Sequence, residues 1–203
     1  MANSNKPFGL APVRSLAANK FNEGGTRYYI PSTDTLAYYI GDLVLSVAAG
    51  DANGVPGVIK ATAGTETVRG VIVGVEVANV NGVSLVGSAL SLENTNVPAT
   101  KAKDYYVYVV DDPGVLFSVQ GDATATNQTV ANGNKNFSFT ITAGSTAQSC
   151  SASVVNSSTI ATTSSLNGKL VGLLQIPNNS TGAYAVWQCM LNQHELQGGT
   201  AGV

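Results

Sequence analysis

Charge is the scarcest property of this chain. Asp, Glu, Lys and Arg make up 11% of its 203 residues, against about 25% in an average soluble domain. Twelve acidic and ten basic side chains leave a net charge of −2 and a pI near 5.2. Proteins that bind nucleic acid carry a basic patch to neutralise phosphates. The basic residues here are spread out, apart from Lys6, Arg14, Lys20 and Arg27 near the N-terminus, so no nucleic-acid partner is expected. Histidine is nearly absent. His194 is the single imidazole, and any Ser-His-Asp or Cys-His chemistry would have to use it. One His and two distant Cys make a poor zinc set. Cys150 and Cys189 both sit in strand-like contexts and read as buried thiols; a disulfide requires that their strands be neighbours. No uninterrupted apolar run approaches the ~20 residues of a membrane span, and the opening M-A-N-S-N-K-P lacks the apolar centre of a signal peptide. No membrane partner is expected. Helical periodicity is also lacking, with at most one turn around Arg14–Ala18.

What is present is a globular composition, 44% hydrophobic and 7% aromatic, in a chain long enough to bury a core without disulfide or metal staples. Ser, Thr, Asn and Gly replace charge on the surface. Two readings fit: a β protein with neutral polar turns, or a surface occupied by other protein, where fixed charge would be costly to desolvate. From Tyr38 onward, short β-rich runs alternate with turn residues. The runs are Tyr38–Val47, Val58–Ala61, Val68–Ala78, Asp104–Val110, Val115–Gln120, Phe137–Thr142, Cys150–Val155, Lys169–Ile176 and Tyr184–Leu191. Turn signals fall between them at Asp51-Ala52-Asn53-Gly54, Asn81-Gly82, Asp112-Pro113-Gly114, Asn132-Gly133-Asn134, Asn167-Gly168 and Pro177-Asn178-Asn179. This spacing predicts an all-β sandwich or barrel.

The stretch Asp104–Gln120, D-Y-Y-V-Y-V-V-D-D-P-G-V-L-F-S-V-Q, reads as a strand pair around a tight turn, with Pro113 fixing φ and Gly114 free to take positive φ. Its first strand alternates Tyr105, Val107 and Val109 with Tyr106, Tyr108 and Val110, so both faces are apolar or aromatic. A half-solvated strand shows one polar face. This one needs cover on both sides, from its own core alone or from a neighbouring subunit as well. In Val68–Ala78, the residues Val71, Val73, Val75 and Val77 are expected on one face, with Ile72, Gly74 and Glu76 on the other. Phe137, Phe139 and Ile141 point inward from a half-exposed strand.

Residues 1–35 read as an extended arm, punctuated by Pro7, Pro12 and Pro31. Its apolar residues, among them Phe8, Leu10, Val13, Leu16 and Tyr28, are more than a disordered tail carries, so it packs on its own domain or on a partner. Residues 36–196 form the β domain, with 122–165 as a possible insertion or minor lobe, and 197–203 form a flexible glycine-rich tail. No phosphate-binding glycine loop followed by a helix occurs. Asp51 and the Asp111-Asp112 pair resemble calcium ligands only faintly and read as turn formers. No carboxylate pair stands out for glycoside hydrolysis. No catalytic, metal or cofactor-binding residue is assigned, and no cofactor is expected.

Several blocks, taken in order, resemble a known family. They are N-K-P-F-G-L-A-P-V-R (Asn5–Arg14), Y-Y-I-P-S-T-D-T (Tyr28–Thr35), I-G-D-L-V (Ile40–Val44), R-G-V-I-V-G-V (Arg69–Val75), Y-V-V-D-D-P-G-V-L-F-S-V-Q (Tyr108–Gln120), and L-V-G-L-L-Q-I-P-N-N-S-T-G-A-Y-A-V-W-Q-C-M-L-N-Q-H-E-L (Leu170–Leu196). Together they are similar to the cement, or decoration, proteins of tailed-bacteriophage heads; Asp122–Ser165 resembles them least. The resemblance implies a two-sheet β-sandwich, jelly-roll-like, with the extended arm. It implies a non-enzymatic virion protein, assembled in the host cytoplasm and bound as a homo-oligomer, dimer or trimer, to the outside of the major capsid protein lattice. The expected interface residues are Pro7, Phe8, Leu10, Pro12 and Arg14 of the arm, with Phe8 and Arg14 as anchors, and the Tyr106/Tyr108 face for self-contact. The alternative is a β-rich host-surface adhesin or fibre-like module.

Overall fold

A computed structural model describes residues 3–16, 24–77, 96–199 and 202. The expected Asn81-Gly82 turn and the Ala78 end of its preceding strand lie outside these residues. The architecture is all-β with mainly antiparallel strand pairing, as a sandwich requires; Thr26–Ile30 and Pro56–Lys60 alone among the named strands pair in parallel. In chain order the strands are β1 (Leu10–Ser15), β2 (Thr26–Ile30), β3 (Tyr38–Tyr39), β4 (Leu43–Gly50), β5 (Pro56–Lys60), β6 (Gly70–Val77), β7 (Asn96–Val97), β8 (Tyr105–Val110), β9 (Val115–Gln120), β10 (Asn136–Thr140), β11 (Val154–Ala161), β12 (Gly168–Leu173) and β13 (Val186–Leu191). The expected strand Cys150–Val155 begins later, at Val154. Cys150–Ser153 is a connection in which the Ser151 hydroxyl accepts the Ser153 N–H.

Five strands close a barrel in the order β2-β5-β4-β6-β8, and six form a sheet in the order β1-β9-β13-β12-β10-β11. The Asp104–Gln120 strands are therefore not partners. β8 pairs with β2 and β6 in the barrel; β9 pairs with β1 and β13 in the sheet. The Asp112-Pro113-Gly114 turn does form, with the Val115 N–H donating to Asp112 O (3.2 Å) and the Gly114 N–H to Asp112 Oδ1 (2.8 Å). Gly114 stays out of the positive-φ region. Instead of closing a hairpin, the turn carries the chain from one sheet into the other.

Alternation fills the barrel. Tyr28 and Ile30 of β2, Val44, Val58, Val107 and Val109 form one buried cluster, because every second side chain of a strand points to the same face. β6 departs from the expected pattern. Its register shifts between Ile72 and Gly74, so Ile72 and Val75 both enter the barrel core while Val71 joins the other one. A bulge of this kind inserts one residue and reverses the facing of those that follow. The short β3–β7 ribbon adds Tyr38 and Val97 to the barrel core. Two buried cations hold the loop beneath it. Lys101 Nζ donates to Asp34 O (2.7 Å) and Leu36 O (2.7 Å) and pairs with Asp34 Oδ1 (2.9 Å); Lys60 pairs with the fully buried Asp42 (2.7 Å). Pairing and carbonyl acceptors offset the desolvation that burying such charges costs.

The six-stranded sheet curls on itself. β1 lies at one edge, and at the other edge Val155 of β11 bridges Gly121, directly beyond β9. Its core gathers Phe117, Val119, Phe137, Phe139, Val155, Leu170, Trp187, Cys189 and Leu191. As expected, Phe137 and Phe139 point inward, in edge-to-face contact at 4.8 Å. Their polar neighbour Ser138 is also buried, at 5% exposure. Residues 122–165 supply β10 and β11 to this sheet, and residues 1–35 supply a strand to each: β1 to the sheet, β2 to the barrel. Both cysteines are free, Cys189 buried and Cys150 half-buried.

Barrel and sheet share a core. Leu43, Ala61, Val68, Val71 and Val110 from the barrel side belong to the same buried cluster as the sheet residues. At its rim the chain makes a close backbone crossing. Gly9 (φ +69°) lies against Gly41 (φ +89°), and a Cβ on Gly9 would stand 2.6 Å from Gly41 O and 2.5 Å from Ser151 Cβ. Gly54 (φ +86°) needs the same conformation but has open space around it. Gly54→Ala should lower urea-unfolding stability by only ~1 kcal/mol, the left-handed conformational cost. Gly9→Ala adds an overpacking term and should lose ~2–4 kcal/mol. Equal losses would mean that the crossing is not tight.

Candidate interaction surface

The N-terminal strap, residues 3–9, has no regular structure and is held by side chains. Gln120, 3% exposed at the end of β9, donates from Nε2 to Ser4 O (2.8 Å) and accepts the Lys6 N–H on Oε1 (3.1 Å). Asn3 donates to Ser180 O and Ala183 O, both at 2.8 Å, and accepts the Ser180 N–H. The strap thereby fastens the β12–β13 connection. Between them lies a cleft of about 320 Å³, whose walls include Lys6, Phe8, Gln120, Ile176 and Tyr184. Pro7 and Phe8 are half-buried, Phe8 against this cleft.

Beyond Gly9 the strap becomes β1, an edge strand of the six-stranded sheet, whose Leu10 N–H donates to Gly41 O (3.1 Å). Leu10 is 1% exposed and belongs to the shared core, so it offers nothing to a partner. Pro12 is half-buried. The register slips between Pro12 and Arg14, which turns Val13, Arg14 and Leu16 outward; Val13 is 41% and Leu16 56% exposed, and Arg14 is exposed. Proline and a bulge both blunt an edge against indiscriminate strand pairing. Of the expected arm contacts, Arg14 is therefore freely presented, Pro7, Phe8 and Pro12 partly so, and Leu10 is not.

The Tyr106/Tyr108 face is already covered by its own chain. Tyr106 is 1% exposed. The Arg27 guanidinium stacks on its ring at 3.6 Å, Tyr29 leans against it with ring centres 5.8 Å apart, and its hydroxyl donates a short hydrogen bond to Asp51. Tyr108 donates to Glu76 Oε2 (2.6 Å), and Glu76 is also paired with Arg27 (3.4 Å). The cover expected from a neighbouring subunit comes instead from β2, β6 and the Asp51 turn. Sequence reading missed Arg27 and Glu76 as the covering pair. The cross-strand register Arg27↔Tyr108 and Glu76↔Tyr106 that joins them follows from strand order, which no local pattern encodes.

The polar groups at the barrel mouth form a network. Asp111 accepts hydrogen bonds from Thr26 (2.9 Å), Tyr28 (2.7 Å) and Arg69 (3.1 Å), and Arg69 Nε also donates to the Tyr28 hydroxyl (2.7 Å). Burial alone would raise the Asp111 carboxyl, but these donors outweigh it and hold it below the usual carboxylate range. Asp111 and Asp112 thus serve different ends, a network and a turn. Asp51 caps its own turn through the Asn53 and Val55 N–H groups, as turn-forming Asp should. Among the described residues no group of three or more His, Cys, Asp or Glu side chains is placed to hold a metal ion.

Burial, then hydrogen bonding to a carboxylate, pushes Tyr28 and Tyr106 up to about 12. A phenol whose folded pKa exceeds its unfolded value of 10 contributes stability that is intact below pH 10 and lost as pH rises toward 12. Ultraviolet titration of tyrosinate should show a late-ionising class coincident with alkaline unfolding. Tyr106→Phe should remove one phenol from that class; loss of an early-ionising phenol would contradict the buried assignment. Comparison of the chain with protein-family models, with characterised proteins and with solved structures finds no match.

Proposed function

We propose that this chain is a non-enzymatic cement protein of a tailed-phage head. In this reading it binds the outside of the major capsid protein lattice as a dimer or trimer, after assembly in the host cytoplasm. The ordered set of sequence blocks from Asn5 to Leu196 supports the family. The structural observation that carries the reading is edge strand β1 and the residue after it, where Val13 (41% exposed) and Leu16 (56% exposed) flank exposed Arg14. Arginine is a residue type that anchors interfaces, and the apolar Val13 and Leu16 beside it add water-excluding contact area. Arg14 is paired to Leu116 of β9, Val13 is the bulge residue beside it, and the Leu16 N–H just past the strand donates to Gly114 O (2.8 Å), so the backbone that carries them is ordered before binding. Low surface charge favours the same use, since few ions need be desolvated.

The mechanism is linkage. A protein that binds only the assembled lattice stabilises it by mass action, and many copies multiply the effect. The Tyr106/Tyr108 face is not part of this proposal, because its side chains are spent internally. The decisive assay is co-sedimentation with empty tailed-phage heads built from a major capsid protein. The wild type should bind. A Val13→Glu, Leu16→Glu variant should fold normally by circular dichroism and bind about thirtyfold more weakly, the ~2 kcal/mol of a hot-spot anchor. Wild-type binding to host cells but not to heads would replace this reading with the adhesin or fibre-like module. Unchanged binding by the variant would move the interface away from β1.

A further inference from the structure

We propose that residues 192–197 form an acid-released latch between sheet and barrel, with protonation of His194 as the trigger. This inference rests on the geometry of the C-terminal segment and is independent of the proposed capsid role. After β13 leaves the six-stranded sheet, the chain crosses to the barrel and pairs with the residue that leads into β6. The Val68 N–H donates to Gln193 O (3.1 Å), and the Glu195 N–H donates to Val68 O (2.9 Å). Glu195 then grips β4: its Oε1 accepts the Ser46 N–H (2.7 Å) and its Oε2 the Ser46 hydroxyl (2.5 Å).

His194 lies inside this crossing, 2% exposed. The Leu196 N–H donates to its Nδ1 (3.1 Å), and the His194 and Gln197 main chains exchange hydrogen bonds around the same turn (3.3 and 2.9 Å). Nδ1 can accept only while it carries no proton, which fixes the neutral ring with its hydrogen on Nε2. A proton taken from solvent must therefore go onto Nδ1. That places an N–H against the Leu196 N–H, removes the acceptor that shapes the turn, and leaves a buried cation. The charged groups facing the ring are Arg69 from the approach to β6, Asp111 from the end of β8, and Glu195 from the latch itself. Burial and the Arg69 guanidinium disfavour the imidazolium; the Arg69 main chain and the Glu195 and Asp111 carboxylates favour it; burial prevails and lowers the pKa.

The sign follows from that direction. Above the ordinary histidine value of 6.5 both latched and released forms are neutral, and the latch is at full strength. As pH falls below it, the released ring takes up a proton more readily than the buried one, so release is favoured. Asp111, held below the usual carboxylate range, does not titrate between pH 5 and 7, where an ordinary imidazole does.

Because the chain has one histidine, the experiment has one imidazole signal. NMR titration of the full chain should show the His194 ring and the Leu196 amide moving together. Exchange protection of the Ser46, Glu195 and Leu196 amides, corrected for intrinsic rate, should fall severalfold from pH 7 to pH 5, following the ring titration. His194→Gln can still accept the Leu196 N–H but does not titrate, and its protection should stay flat. A wild-type protection that stays flat while the ring titrates would overturn the proposal, as would an equal fall in His194→Gln. If His194→Gln fails to fold, the wild-type coincidence of ring titration and amide release decides alone.

Discussion

The structure depends on one segment that must be buried on both faces and yet belongs to two sheets. β8 and β9 are separated by four residues, Asp111–Gly114, and no ladder joins them. Val107 and Val109 face the barrel interior. Val110 and then Val115, Phe117 and Val119 face the core shared with the sheet. The turn between them is short and internally bonded, so the two strands have little freedom to separate. The barrel and the sheet are thereby set against each other, and the cluster containing Leu43, Val71, Phe117 and Trp187 can form only when both are in place. Around this junction the chain adds further ties: the Gly9–Gly41 crossing at one rim and the Glu195–Ser46 grip at another.

Much of this was legible locally. The alternation of β8 identified which side chains share a face, and the apolar character of both faces correctly required two layers of cover. The turn at Asp112 was readable from its residue types, and Phe137 and Phe139 from their period of two. Strand partnership was not readable, because register between distant segments is set by the assembled core and not by nearby sequence. A tight Asp-Pro-Gly turn serves a hairpin and a crossing between sheets equally well. The β6 bulge was hidden for a related reason: V-I-V-G-V looks like unbroken alternation until the partner strand shows that Val73 is the extra residue. For the arm, residue type suggested anchors, but only the fold separates inward Leu10 from outward Val13, Arg14 and Leu16.

The correction at Tyr106 and Tyr108 bears on function. Their apolar surface needs cover, and the chain supplies it with Arg27, Tyr29, Glu76 and Asp51. What remains for a partner is smaller and more specific, an edge strand whose pairing capacity is limited by Pro12 and a bulge but whose outward side chains are apolar and cationic. The proposed cement role would place a mechanical demand on such an edge, since load passed through β1 would reach β9 and then, through the Asp111–Gly114 turn, the barrel. A body of two independent parts would yield at that turn.

That demand makes cooperativity the central claim, and the residue distribution supplies its probes. The single Trp, Trp187, lies in the sheet core, whereas Tyr28, Tyr29, Tyr105, Tyr106 and Tyr108 lie on barrel strands. Urea unfolding followed in parallel by tryptophan fluorescence and by tyrosine absorbance tests the shared core directly. One coincident transition, with the same midpoint and slope for both probes, is the result the account predicts. Two separated transitions, with the barrel or the sheet persisting alone, would contradict it.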